Sequence, residues 1–528
     1  MKKCLLICLM FALPLLVCAQ EINMIPYPNK VNVLQGHLLI NKDTRFYADK
    51  GRFADMVSYF NGEFGGTKKS ALNKQQLVSI AIDRGNRKPG SYKLSITLKT
   101  ININGVDSAG VFNGMVTLLQ LCKLAKGEGQ NLALPCIIIN DEPKYQWRGF
   151  LLDESRHFFG KMAVERILNW MAFYKLNRFH WHLTDAQGWR FSVSKYPLLA
   201  TKAGIGNFTD SLAAAQYYTQ ADVREIVNYA KQRSIEIIPE IDMPGHATAA
   251  NKAYPVFSGG TTSGFENFTF NPGKEITYQF MGDVLREVKS LFPGNRIHIG
   301  GDEVTLGIKA WENNPDVNRL MKENNFTDHR QAEFYFLKRI ADTVSKLNCK
   351  VMCWDEAVAA GLPVSQVTIN WWRQDKPAVL NEALDKGYHV ILCPRLPLYF
   401  DFVQDSTHRS GRKWGKRYNS YLDVYHFPEN TLTNAIYSNS NVIGVQANLW
   451  TETVITEKRL QYLLFPRLAA LAESGWNDSS VKNDDLFNKR LKAHLVYYKK
   501  TGIYYYDPFN PGYHPEVIDE PKPAGNQD

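Results

Sequence analysis

The chain of 528 residues is too long for one ordinary domain, and its 45% hydrophobic and 22% charged residues exclude a disordered or fibrous protein. Its net charge of +10 is spread along the chain rather than gathered on one stretch, which speaks against a nucleic-acid partner. Beyond the N-terminus no apolar run approaches the ~20 residues that cross a bilayer, so no transmembrane segment is expected.

The first residues have the pattern of a signal peptide spanning 1–19: Lys2 and Lys3, an apolar run from Leu5 to Val17, then Val17-Cys18-Ala19 before Gln20. Val17 is bulky where a lipid-attachment motif prefers a small residue, so cleavage is favoured over a lipid anchor on Cys18. Export follows, with periplasm, cell surface and medium all compatible. Three of the eight cysteines lie in this segment. The other five, Cys122, Cys136, Cys349, Cys353 and Cys393, form no regular disulfide framework, although a Cys122–Cys136 bridge stays open. Cys353 and Cys393 sit in apolar strands and are expected to be buried.

Residues 20–143 are expected to form a small α+β domain. Gln76 to Asp83, Ser91 to Ile96 and Leu134 to Ile139 have strand patterns, and Gly105 to Leu124 has helical spacing of apolar residues. Asp141-Glu142-Pro143 serves as linker, since the residue before proline resists helix.

From 144 to 500 short apolar strands alternate with amphipathic helices. The strands are Arg148 to Asp153, Phe179 to Asp185, Ile235 to Asp242, Arg296 to Glu303, Lys350 to Trp354, Val367 to Trp372, His389 to Cys393 and Val442 to Trp450. The helices include Met162 to Leu176, Gln220 to Arg233, Thr277 to Leu291, Gln331 to Leu347, Pro377 to Asp385 and Glu457 to Ala472. Eight such alternations predict an α/β fold, a (β/α)8 TIM barrel, with residues 501–528 as a tail packed on its surface.

In such a barrel the chemistry gathers where strands end. Here the ends carry Asp153, Asp185, Asp242 with His246, Asp302-Glu303, Trp354, Trp372, Tyr399 with Asp401, and Trp450 with Glu452. Packing alone does not call for polar or aromatic residues at nearly every strand end. The 11 Trp suit stacking on sugar rings, although a large core also uses them.

Asp302 and Glu303 follow an apolar strand and two glycines, Gly300 and Gly301, that allow a sharp turn and close approach of a ligand. Adjacent carboxyls should separate in pKa, one remaining protonated as an acid and the other charged. A pair of strand neighbours points to opposite sides, and so cannot flank one sugar ring at the ~5 Å of ordinary retaining glycosidases. A substrate-assisted route fits better. Glu303 would protonate the leaving oxygen and later act as base, while Asp302 would orient a 2-acetamido group whose own oxygen attacks C1.

The segments Trp147-Arg148-Gly149, Asp153 with Arg156-His157-Phe158, His180 to Asp185, Glu240 to His246, His298 to Val304 and Ala447 to Glu452 resemble, in this order, glycoside hydrolase family 20. The resemblance covers residues 145–475, and the preceding region resembles that family's small N-terminal domain. It implies an exo-acting β-N-acetylhexosaminidase without cofactor or metal, acting on glycans with a terminal β-linked N-acetylhexosamine. Position by position, it implies that Arg148 holds outer sugar hydroxyls through its guanidinium fork. Asp185 and His246 would support Glu303. Trp354, Trp372 and Trp450 would enclose the acetamido group, Tyr399 would hydrogen-bond its oxygen, and Asp401 and Glu452 would bind hydroxyls. Trp371 competes with Trp372 for its place, and Trp414 would stack on the next sugar.

Two other readings compete. The His180-x-His182 strand pattern occurs in metal-dependent barrel hydrolases, which draw further ligands from later strands; the eighth strand here ends without Asp, so two packed, hydrogen-bonded histidines behind Asp185 are expected instead. A catalytically dead sugar binder has no need of the intact Asp302-Glu303 pair. Finally, His408 to Arg417 holds Arg409, Arg412, Lys413, Lys416 and Arg417. It is either a solvated loop or a feature that attracts anionic, for example sulfated, glycans. Oligomeric state is not legible.

Overall fold

A computed structural model describes residues 22–41, 53–63, 78–85, 87–125, 131–415 and 417–518. The proposed signal peptide and residue Lys416 lie outside them. The N-terminal part is a five-stranded sheet with the spatial order β1-β5-β3-β4-β2, built from β1 (Lys30–Asn41), β2 (Val78–Ile82), β3 (Tyr92–Ile96), β4 (Ile101–Gly105) and β5 (Asn131–Asp141). The helix Ser108–Lys123 packs on it, capped by the Asp107 carboxylate, which accepts from Gly110 N. β1 and β4 were not legible as strands. β1 is exposed at most of its first eight positions and lacks apolar alternation.

Eight parallel strands then close a barrel in strictly consecutive order. They are β6 (Trp147–Asp153), β7 (Arg178–His182), β8 (Glu236–Glu240), β9 (Arg296–His298), β10 (Lys350–Trp354), β11 (Val367–Trp371), β12 (His389–Leu392) and β13 (Val442–Leu449). β6 and β11 are buried at every position, as expected of strands covered by helices outside and by side chains within. The fold is the (β/α)8 barrel that the alternation predicted. Asp141 ties the two parts together: its carboxylate accepts from Tyr92 Oη (2.6 Å) and Trp476 Nε1 (2.9 Å) and lies 3.3 Å from buried Lys175.

Two elements differ from expectation. The helix expected over 457–472 is two helices, Glu457–Leu464 and Arg467–Trp476, because Pro466 has no N–H to continue the first. More important, the fourth barrel strand stops at His298. Gly300 (φ 67°), Gly301 (φ 89°) and Glu303 (φ 51°) are all left-handed, so Asp302 and Glu303 sit on a tight turn beyond the strand rather than on alternate faces of it. Cys122, Cys136, Cys349, Cys353 and Cys393 are buried free thiols, and so Cys122 and Cys136 are not bridged. Among the described residues, no helix is long and apolar enough to cross a membrane.

A Cβ at Gly300 would overlap Asp242 Oδ1, whereas one at Gly361 (φ 64°) meets nothing within 4 Å. Left-handed backbone alone costs a residue with a Cβ ~1–2 kcal/mol. Gly361→Ala should lose about that, and Gly300→Ala at least ~2 kcal/mol more through the collision. Denaturant midpoints of the two variants compare them directly; equal losses would remove the clash as an explanation.

Candidate active site

A cavity of about 1040 Å³ opens at the C-terminal ends of the barrel strands. Of the residues singled out in sequence, Asp185, His246, Asp302, Glu303, Trp354, Trp372, Tyr399, Trp450 and Glu452 line it; Arg148 and Asp401 do not.

Parallel register sets the floor. Glu240 on β8 pairs with His182 on β7 and His298 on β9, so three polar residues of adjacent strands lie at one level. The fully buried Glu240 carboxylate accepts from His182 Nδ1 (2.6 Å) and Trp354 Nε1 (2.8 Å), with His298 Nδ1 at 3.0 Å and His180 Nε2 at 3.1 Å. Burial would raise its pKa, but the three histidines together hold it well below the usual carboxylate range. His180 and His182 are thus packed behind Asp185.

From this floor a chain of contacts climbs to the acid pair. His182 Nε2 lies 2.9 Å from Asp185 Oδ2, and Asp185 Oδ1 lies 2.9 Å from His246 Nδ1. His246 Nε2 then stands 3.5 Å from Glu303 Oε2 and 3.6 Å from Asp302 Oδ2. His246 (φ 53°) is left-handed like Glu303. Both residues that meet here hold a conformation that side chains with a Cβ rarely adopt, a kind of strain found at functional sites.

The two carboxyls do separate, but in the opposite order to that expected for the acid. Burial pushes Asp302 up to about 7 against the pull of His246. Glu303, half-exposed, is held below its ordinary value: burial raises it, but His246 and Arg156 outweigh that. At neutral pH Asp302 stands near its midpoint and shares the tendency to hold a proton with Asp242, which burial and the Asp302 charge raise well above the ordinary carboxylate range. Asp302 Oδ1 is buried and finds no hydrogen-bond partner among the described residues.

Trp354, Trp372, Tyr399 and Trp450 form one aromatic cluster above the floor, with Trp372 and Tyr399 stacked at 6.4 Å. Trp371 points into the main core, so Trp372 is the pocket residue. Trp414 is on the rim, and the Arg395 guanidinium lies between it (4.2 Å) and Trp372 (4.6 Å).

Arg148 requires correction. It is the second residue of β6, at the opposite mouth of the barrel, and is buried. Its Nε donates to Lys175 O and its Nη1 to Tyr145 O, both at 2.8 Å, and its guanidinium stacks on Trp476. The arginine of this strand that lines the cavity is Arg156, just past its C-terminal end. Its Nη1 is 2.7 Å from Asp185 Oδ2, and its guanidinium lies over the Trp450 ring. The rule that chemistry collects where strands end already pointed to Arg156 over Arg148. Asp401 is buried beside the lining, with Arg412 Nε 3.7 Å from its carboxylate and neither carboxylate oxygen hydrogen-bonded among the described residues. Arg412 Nη2 donates to Glu452 Oε1 at 3.1 Å. Of the basic segment, Arg412 and Lys413 line the cavity.

The model of the glycosyl hydrolase family 20 catalytic domain matches residues 145–479, and that of the same family's domain 2 matches residues 21–142. A beta-hexosaminidase of Vibrio furnissii is 36% identical over 410 residues, 73% of this chain and 65% of that protein. One from Porphyromonas gingivalis is 35% identical over 437 residues, 80% of this chain and 55% of its own. The chain thus spans less than two thirds of the length of these two curated relatives. Among solved structures, the GH20 exo β-N-acetylglucosaminidase from Vibrio harveyi in complex with N-acetylglucosamine superposes with a TM-score of 0.83 at 28% identity, over 93% of this chain and 79% of that one. The β-N-acetylhexosaminidase from Bacteroides fragilis gives 0.80 at 27% identity, over 91% and 96%.

Burial alone would lower the pKa of His246, but Asp185, then Asp242 and Asp302, raise it well above the ordinary value. The stability that this charge contributes is complete below ~6.5, the unfolded imidazole value, and is lost as pH rises through the higher folded one. Asp185→Asn removes the largest raising charge, so the His246 ring should titrate at lower pH than in the parent. Histidine proton NMR across pH measures this; an unmoved titration would mean that Asp185 does not set the charge of His246.

Proposed function

The chain belongs to glycosyl hydrolase family 20, and we propose that it is an exo-acting β-N-acetylhexosaminidase. It removes terminal non-reducing N-acetylglucosamine or N-acetylgalactosamine from glycans, with retention of configuration, through an oxazolinium intermediate. The observation that carries this reading is the buried, unpartnered Asp302 Oδ1 at an aromatic pocket, with Glu303 beside it and both carboxylates drawn to one atom, His246 Nε2. Two carboxyls gathered at one nitrogen suit a substrate that brings its own nucleophile.

The steps follow from these positions. The acetamido N–H donates to Asp302, and this hydrogen bond favours its charged carboxylate. The sugar covers half-exposed Glu303 and favours its neutral form, with the proton taken up from solvent. Oriented by Asp302, the acetamido oxygen attacks C1 as the C1–O bond to the leaving sugar breaks. Glu303 gives its proton to the departing oxygen. The Asp302 carboxylate balances the positive charge of the oxazolinium ring. Water then attacks C1 with Glu303 as base, and the ring opens. Trp354, Trp372 and Trp450 enclose the acetamido methyl, Tyr399 holds its oxygen, and Arg156 and Glu452 bind ring hydroxyls. Export to periplasm, surface or medium is part of the reading, supported by the residue pattern of 1–19.

The mature protein should cleave an aryl β-N-acetylglucosaminide and leave the matching plain glucoside nearly untouched, because only the first carries the nucleophile. Asp302→Ala should lower kcat/KM by ~10²–10³-fold, as expected for removal of one group aimed at developing charge. Comparable cleavage of both glycosides would overturn the substrate-assisted step and call for a carboxylate nucleophile. Anionic glycans are the finer proposal, supported by Arg412 and Lys413 on the cavity lining. Replacing Lys413 and Lys416 by Ala should reduce preference for a sulfated over a neutral substrate and weaken its salt dependence. An unchanged preference would rule the anionic reading out.

A further inference from the structure

The C-terminal tail meets the loop on the active-site face through the Tyr506 ring against His408 and through one carboxylate, that of Glu516. Glu516 is nearly buried and accepts from two successive backbone N–H groups, Arg409 N (2.6 Å) and Ser410 N (3.2 Å). It also accepts from Nη1 of the fully buried Arg459 at 2.8 Å, and Arg459 Nη2 donates to Ser410 O at 2.6 Å. One carboxylate and one guanidinium thus hold the N–H groups of Arg409 and Ser410 and the C=O of Ser410. The next residue, Gly411, has φ 116°, and a Cβ there would meet Val403 at 2.8 Å and Arg459 Nη2 at 3.0 Å. No other residue type lets the chain turn so close to the arginine. Immediately after this turn comes Arg412, the residue that holds Glu452 at 3.1 Å and faces Asp401 at 3.7 Å.

We propose that Glu516 is a positioning residue for sugar binding: by clasping residues 409–410 against Arg459 it sets the place of Arg412, which in turn orients the Glu452 carboxylate toward the ring hydroxyls. This rests on the reading of Glu452 as a sugar ligand. The clasp has the character of a built contact. Charge-assisted bonds to backbone N–H groups are among the stronger hydrogen bonds, and both charged partners are shielded from water. Among the described residues, the loop that carries Arg412 has no helix or long strand of its own between Phe402 and Tyr421. Its position therefore depends on contacts such as this one. The tail is in this way part of the binding site: Glu516 holds the backbone of Ser410, which is on the cavity lining.

The test is steady-state kinetics on an aryl β-N-acetylglucosaminide with the full chain, its Glu516→Ala, Glu516→Gln and Arg412→Ala variants, and the double variant Glu516→Ala/Arg412→Ala. Loss of the clasp should raise KM by ~10-fold, the scale of one lost charge-assisted hydrogen bond, with kcat changed far less. Glu516→Gln should fall between parent and Glu516→Ala, because its amide oxygen still accepts from the two backbone N–H groups; it also reads the effect if Glu516→Ala does not fold. The double variant should be no worse than Arg412→Ala alone, since Glu516 acts through Arg412. A merely structural tail contact would lower thermal stability and leave KM in place. Unchanged KM in Glu516→Gln and Glu516→Ala, or multiplying effects in the double variant, would overturn the clasp alone. Absence of any cleavage by the parent would instead remove the reading of the site on which it stands.

Discussion

A carboxylate buried at the centre of a barrel is a liability unless charge surrounds it, since moving an ion out of water costs several kcal/mol even after relaxation. Glu240 is such a group, and much of the site is arranged around its neutralisation. His182 and His298 face it from its own level of the barrel, His180 approaches from two residues lower on its strand, and Trp354 donates to it from β10, two strands away. Those partners are also the base of the pocket. Trp354 is fixed as a wall because its indole N–H is spoken for, and His182 is fixed as the lower half of the contact to Asp185. Removing the Glu240 charge would leave three histidines crowded together in a medium of low polarity, so wall and relay stand or fall together.

Above this floor the backbone does what strand geometry does not allow. A strand sends neighbouring side chains to opposite faces. The left-handed turn from Gly300 through Glu303 lets two consecutive carboxyls approach the same imidazole nitrogen. Strain at Glu303 and His246 is tolerated because the elements on either side are anchored in the barrel. The unequal behaviour of the two carboxyls has the same origin. Asp302 is the deeper of the two and has a buried oxygen without a donor among the described residues, so burial raises it while Glu303, nearer to water, is held down by His246 and Arg156. The site is thus complementary to a ligand that carries an N–H.

The hydroxyl end of the pocket follows a different logic. Here cations are placed to keep anions usable: Arg156 beside Asp185, and Arg412 beside Glu452 and Asp401. Arg156 sits at the rigid end of a barrel strand. Arg412 sits on a loop and needs Arg459 and Glu516 to hold it. One face of a single pocket therefore depends on the barrel, and the other on the tail.

The eight-fold alternation of strands and helices, the acid pair, the aromatic residues and the relay from Asp185 to His246 were legible in the sequence. Periodicity reports which face a residue buries, and strand direction reports at which end chemistry collects. Three things were not legible. Arg148 and Arg156 are both arginines near one strand; strand direction separates the two mouths, but only the folded barrel shows Arg156 meeting Asp185 Oδ2 at 2.7 Å. The end of the fourth strand at His298 depends on how Gly300 packs on Asp242, a contact across 58 residues that leaves no local pattern. The meeting of Glu516 with residues 409–410 joins segments 106 or more residues apart. Local spacing determines which element forms and which face it presents; the distance between two charged groups on different elements is decided only when the chain closes on itself.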